Sequence, residues 1–387
     1  MRRRWCIGLI LLLGCEGTLT STAGRGRSDS GSRALHDAGR RAASPDGAAI
    51  SSSPDASAPF EDPSLSDAGA PADMGPPPAD AGPPSVDPMT DIVGCAMTPP
   101  AGSPTPPPTP TYAGACPGLV AGHNLITSSG STRDFRLVVP AGYDPSRSYP
   151  LFFLWHWLRG SADSFYSEGD VQSAADTQHF IAVIPEAKGD LSYTWPFTVI
   201  DSSSRINEDL QLFDDMLACV SAQYSINNAC VTSVGVSAGA LWTDQLAGAR
   251  GQYLSSFISL SGGTGGYVRP WSGSAHRMAA LVLWGGPTDM CVVDMNAASL
   301  NLEAGLTAGG NFLVECVHNC GHSTPPIVGT PSLLAPLWKF VLQHPYWLPA
   351  GTSPFQTTGL PSDFPEWCGI AAGGATIRVG ACSPSRC

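Results

Sequence analysis

Six short apolar runs between residues 150 and 317 constrain the fold of this chain more than any other feature. They read "PLFFLWH" (150–156), "FIAVIP" (180–185), "CVTSVGV" (230–236), "FISLSGG" (257–263), "ALVLWGG" (280–286) and "NFLVECV" (311–317). Such runs mark strands buried on both faces of a sheet. The segments between them suit helices. One helix fits within 161–179. From Ile206 to Tyr224, the residues Ile206, Leu210, Phe213, Leu217 and Val220 fall on one helical stripe. Glu208, Asp209, Asp214 and Asp215 occupy the positions expected to face solvent, and Ser204 is the expected cap. Further helices are expected over 238–249, 296–308 and 332–344. Strands alternating with helices predict an α/β fold, a mainly parallel doubly wound sheet with helices on both faces. Right-handed crossovers then align the carboxyl ends of the strands along one edge, where chemistry collects.

The chain before these runs is of another kind. Arg2, Arg3 and Arg4 precede the apolar "WCIGLILLL" (5–13), which is too short for a stable membrane span and reads as an export signal over residues 1–14. "LLGC" (12–15) resembles the lipobox of bacterial lipoproteins, which would make Cys15 the lipidation site; the alternative is an ordinary cleavage near "STA" (21–23). Residues 15–110 are rich in Pro, Ala, Asp and Gly and poor in large apolar side chains, as in "DAGAPADMGPPPADAGPP". Such a segment buries too little surface to offset its chain entropy, and is expected to be a disordered spacer. A globular domain over 111–350 and a cysteine-containing extension over 351–387, packed on it, complete the expected organisation.

The formal charge of −12 and the lack of a basic stripe argue against nucleic-acid binding. Twelve cysteines, of which Cys6 and Cys15 fall in the leader, fit disulfides in an oxidising compartment. The competing use is metal binding at "CVHNCGH" (316–322), which lacks a second cysteine pair at zinc-site spacing. No metal or organic cofactor is implied.

A bare G-x-S-x-G has little specificity in a chain with 43 glycines. In "TSVGVSAGALW" (232–242), however, it lies between an expected strand and an expected helix, the context of a nucleophile elbow. Ser237 is the candidate nucleophile, with Gly235 and Gly239 allowing close backbone approach and the Ala238 amide facing an oxyanion. A serine needs a base and the base needs an orienting acid, in the order Ser, Asp, His for this topology. Asp289 follows one strand and His322 follows the next. Asp294 and His318 are the rivals; Asp294 lies further from its strand end, whereas His318 lies too close to its own. His156, at the end of the first run, reads as a core or positioning residue.

These motifs together resemble the α/β-hydrolase esterases that include polyhydroxyalkanoate depolymerases and feruloyl and acetylxylan esterases. The resemblance spans most of residues 115–345: the strand ending in His156, "FIAVIPEA" followed by "YTWPF" (193–197), "YSINNACVTSVGVSAGA" (224–240), "GGPTD" (285–289) and "CGH" (320–322). It implies a Ser237–Asp289–His322 triad acting through an acyl-enzyme. It also implies a second oxyanion amide from Trp157 or Leu158, and substrate contacts at Trp157 and Trp195. The group carries glycine where this chain has Trp157. That ring is expected either to wall the substrate site or to pack over its own loop. Cysteine placement in this frame points to Cys219–Cys230 and to Cys291 with Cys316 or Cys320, leaving Cys95, Cys116, Cys368, Cys382 and Cys387 unassigned. The expected protein is a secreted or surface-tethered monomeric ester hydrolase, its substrate a polyester, feruloyl or acetyl ester and its only membrane contact a lipid anchor. A serine peptidase and a non-catalytic binding lipoprotein on the same fold are the alternatives.

Overall fold

The computed structural model describes residues 94–326 and 334–382. The leader, Cys15 and residues 15–93 of the expected spacer lie outside the described residues. An antiparallel hairpin opens the domain, β1 (Gly122–Ser128) with β2 (Ser131–Val138). There follow β3 (Tyr149–Trp155), α1 (Ala162–Glu168), α2 (Val171–Gln178), β4 (Ile181–Pro185) and the long α3 (Ser203–Gln223). Next come β5 (Ile226–Val236), α4 (Ala238–Arg250), β6 (Ser256–Leu260), β7 (Ala279–Trp284) and a two-residue ribbon, β8 (Met290–Cys291) with β9 (Val293–Asp294). The chain closes with α5 (Met295–Ala308), β10 (Phe312–Val317), α6 (Leu334–Leu342), the single turn α7 (Phe355–Thr358) and β11 (Cys368–Ile370).

Nine strands form one sheet in the order β1-β2-β4-β3-β5-β6-β7-β10-β11. All six apolar runs lie in its parallel centre, and the edges, β1, β2 and β11, run antiparallel. Strand order reverses between β3 and β5, so the crevice at their carboxyl ends is the expected site. Alternate side chains feed two cores. Leu151, Phe153 and Trp155 of β3 pack towards α3, α4 and α5, whereas Phe152 and Leu154 pack towards α1, α2 and α6. Burial of both faces explains why these strands read as unbroken apolar runs.

Several expectations are corrected. The first crossover is two helices rather than one, because Gly169 and the left-handed Asp170 (φ 47°) break it. Ser202, not Ser204, caps α3 by accepting from the Arg205 amide. Asp209, Asp214 and Asp215 are buried rather than solvent-facing. Asp209 pairs with Arg133 of β2 at 2.6 Å and Asp214 with Arg250 of α4 at 2.8 Å, partners supplied from distant segments.

Both guessed cysteine pairings also fail. Among the described residues the bridges are Cys95–Cys230, Cys116–Cys219, Cys316–Cys368 and Cys320–Cys382, so Cys291 is bridged to neither Cys316 nor Cys320. Cys95 is buried, and its amide donates to the Leu342 carbonyl. Part of the stretch assigned to the spacer is thus tied covalently to β5. Among the described residues no helix is long and apolar enough to cross a membrane, and no group of three or more His, Cys, Asp or Glu could hold a metal ion.

Candidate active site

Ser237 ends β5 and starts α4 at φ 55°, ψ −119°, a positive-φ conformation that costs a non-glycine residue on the order of 1–3 kcal/mol. The surroundings hold it there. Its amide donates to the Leu260 carbonyl of β6 at 2.8 Å, and its carbonyl accepts from Ala240 and Leu241 in the first turn of α4. The flanking glycines are required by contact. A β-carbon on Gly235 would lie 2.1 Å from the Gly239 carbonyl oxygen, and one on Gly239 would lie 2.0 Å from that of Trp155. The turn is therefore wedged between β3 and its own helix. Ala238, first in α4, has an amide without an intrahelical acceptor, directed out of the helix end.

His322 reaches this turn from the loop after β10. Its Nε2 lies 2.8 Å from Ser237 Oγ and its Nδ1 lies 2.7 Å from Asp289 Oδ1. Asp289 follows β7 and its side chain is fully buried. Burial pushes its carboxyl upward, but hydrogen bonds from His322, the Gly285 amide (2.7 Å) and the Ser261 hydroxyl (2.8 Å) outweigh that and hold it below the usual range. An ionised Asp289 places the proton on Nδ1, leaving Nε2 to accept from the serine hydroxyl. The two loops are pressed together: a β-carbon on Gly285 would lie 2.0 Å from the Gly321 carbonyl oxygen.

No family model matches the sequence. Two curated fungal proteins are similar to part of it. Probable feruloyl esterase C of Aspergillus terreus is 26% identical over 182 residues, 47% of this chain and 61% of the relative. Feruloyl esterase C of Emericella nidulans is 26% identical over 201 residues, 52% of this chain and 66% of the relative. The chain thus spans less than two thirds of the length of either. Among solved structures, native pOPH aligns at a TM-score of 0.55 and 16% identity, over 66% of this chain and 97% of that one. Native sOPH aligns at 0.51 and 17%, over 66% and 97%. The fold is that of an α/β-hydrolase.

The rival residues stand apart from the relay. Asp294 caps α5 by accepting from the Ala297 amide. His318 is buried with its ring edge-on to Trp367, and burial brings it down to about 4; its Nδ1 accepts from the Cys320 amide. His156 is buried at the start of the loop after β3, with Nδ1 donating to the Trp157 carbonyl at 2.9 Å.

Trp157 and Trp195 do not line the space beside Ser237, and Trp157 follows the second of its two expected courses, packing over its own loop. The Trp157 ring packs towards Phe165 of α1 and over Gly160, on the far side of its loop from the cleft. Trp195 is fully buried; its Nε1 donates to the His156 carbonyl at 2.8 Å, so it braces the loop from below. Its neighbours in "YTWPF" face the cleft instead. The space beside Ser237 and Ala238 is lined by Leu158, Tyr193, Phe197, Leu241, Tyr267, Val292, Val293 and Met295, with Cys291. It has a volume of about 340 Å³, partly open to solvent, and no charged side chain lines it. Sequence reading missed Ser261, Tyr193, Phe197 and Tyr267. Ser261 alone carried a signal, its place just after a buried strand on the chemical edge.

Proposed function

We propose that this protein is an exported serine carboxylic-ester hydrolase using Ser237, His322 and Asp289. The observation that carries the reading is the hydrogen-bonded relay from the strained Ser237 hydroxyl through His322 to the buried Asp289. His322 Nε2 takes the Ser237 proton as Oγ attacks the ester carbonyl, and Asp289 stabilises the imidazolium so formed. The Ala238 amide and an amide of the 157–158 loop, for which Leu158 is placed beside the cleft, receive the developing oxyanion. The protonated His322 returns its proton to the leaving alcohol, and the same steps with water release the acid.

An uncharged, aromatic-lined cleft suits an uncharged ester with a ring-bearing or extended apolar acyl group. That agrees with the similarity to two proteins named feruloyl esterase C. The disulfides support export to an oxidising compartment. Tethering through Cys15, with the Pro- and Asp-rich segment as spacer, completes the proposal.

Hydrolysis of p-nitrophenyl acetate, methyl ferulate and hydroxybutyrate oligomers by wild type and Ser237→Ala tests it. Wild type turns over at least one ester, and the variant loses at least about a thousandfold in kcat. Equal rates in the two proteins would refute the reading.

A further inference from the structure

We propose that the C-terminal segment Trp367–Cys382 is a positioning clamp for His322, required for turnover. The inference rests on the triad reading above. His322 sits on a loop that leaves β10 at Val317, and successive residues along its first half are tied to the C-terminal segment. The strand itself is extended by β11, whose residues Cys368 to Ile370 pair with Cys316 to Val314, and Cys316 is bridged to Cys368. One residue on, the Val317 carbonyl accepts from the Arg378 amide at 2.9 Å. His318 then meets the Trp367 ring. Asn319 donates to the Gly380 carbonyl at 2.9 Å, and its Oδ1 accepts from Arg378 Nη1 at 2.8 Å. Cys320, two residues before His322, is bridged to Cys382.

Arg378 joins these ties into one unit. While Nη1 holds Asn319 on the loop, Nη2 donates to the Ala381 carbonyl beside the bridge at 3.1 Å. The tail thus fixes residues 316–320 in a continuous row, and Gly321 carries that register to His322 by packing against Gly285 of the acid loop. Catalytic hydrogen bonds of 2.7 and 2.8 Å leave little tolerance. Misplacement of a reacting group by about 1 Å costs up to about a hundredfold in rate. The clamp acts through the imidazole's position and touches neither substrate nor the reacting atoms, so its loss should lower kcat and spare KM.

The test uses the full chain, with p-nitrophenyl acetate kinetics and the rate of inactivation by a fluorophosphonate. Near-ultraviolet circular dichroism checks folding. Arg378→Ala and the double variant Cys320→Ser/Cys382→Ser are expected to lose about tenfold to a hundredfold in kcat and in inactivation rate, with KM within about twofold. Arg378→Lys should recover part of the loss. The Cys116→Ser/Cys219→Ser variant, which cuts a bridge that involves neither the tail nor the His322 loop, should lose thermal stability while kcat stays at the wild-type level. Wild-type kcat in folded Arg378→Ala and in the folded double variant would overturn the clamp, provided Ser237→Ala is inactive. Failure of both to fold would equally overturn it, by making the tail a purely structural element. An active Ser237→Ala would remove the triad reading and the clamp together.

Discussion

Ser237 and Ser261 do different work with the same hydroxyl. Ser237 is exposed to the cleft on a strained turn, whereas Ser261, also at positive φ (52°), turns its hydroxyl back to Asp289. A buried carboxylate is stable only when its lone pairs are filled, and Asp289 fills them with His322, Ser261 and the Gly285 amide. Removing one charge-assisted donor costs on the order of 1.5–3 kcal/mol of support for the ionised form. Ser261→Ala is therefore expected to lower kcat by roughly tenfold and to raise the Asp289 carboxyl towards the ordinary range. The acid limb of the pH–kcat profile would move to higher pH. An unchanged profile would mean that Gly285 and His322 alone suffice. At this scale the candidate residues Ser237, Asp289 and His322 are legible because each follows an apolar run in an order that topology imposes. Trp195 was misread because a motif on a loop names neighbours without saying which of them faces the cleft.

The six central strands and the helices between them follow from hydrophobic pattern, since a strand covered on both faces has no other sequence signature. The edges were less legible. β1 shows the alternation of a half-exposed strand in its burial, and β11 is three residues held by a bridge and by β10. The acidic positions of α3 were read as solvent-facing because they lie off the apolar stripe. The helix is in fact enclosed more widely, and its acids are neutralised by arginines of β2 and α4 as well as by its own Arg205. Disulfide pairing was illegible for the same reason: the four described bridges join residues 52 to 135 positions apart, which only the tertiary fold brings together. The C-terminal extension illustrates the cost of that blindness. It contributes an edge strand and one bridge to β10, and a second bridge and Arg378 to the loop that carries His322, so its removal belongs among tests of chemistry and not only of stability.

Across the whole molecule, buried titrating groups set a pH window for stability. Burial brings His276 and His318 down to about 4, and burial, against a hydrogen bond to Phe340, does the same for His344. Below pH 6.5 the unfolded chain takes up protons that these rings refuse until about pH 4, so stability falls as pH drops through that interval. Glu303 acts in the opposite sense. Burial and the neighbouring Glu315 raise it to about 8, so between 4.5 and 8 the folded protein keeps a proton that the unfolded chain has released. Stability then falls as pH rises, and the buried Asp244, raised by desolvation, adds to that slope. The buried histidines lower stability on the acid side, and the raised carboxyls, with His123 raised by Asp134 and Asp163, lower it on the alkaline side, which predicts a maximum melting temperature near pH 6.5. Glu303→Gln should flatten the alkaline fall. A wild-type melting temperature that rises steadily to pH 9 would contradict this balance.

The central claim is that Ser237 is the activated nucleophile of an ester hydrolase, and covalent labelling tests it most directly. A fluorophosphonate reacted with the native protein, followed by peptide mapping, should give one adduct on the peptide that contains Ser237. Labelling should be lost in His322→Ala and absent in Ser237→Ala. An unlabelled wild type, or an adduct on another residue that persists in Ser237→Ala, would contradict the account.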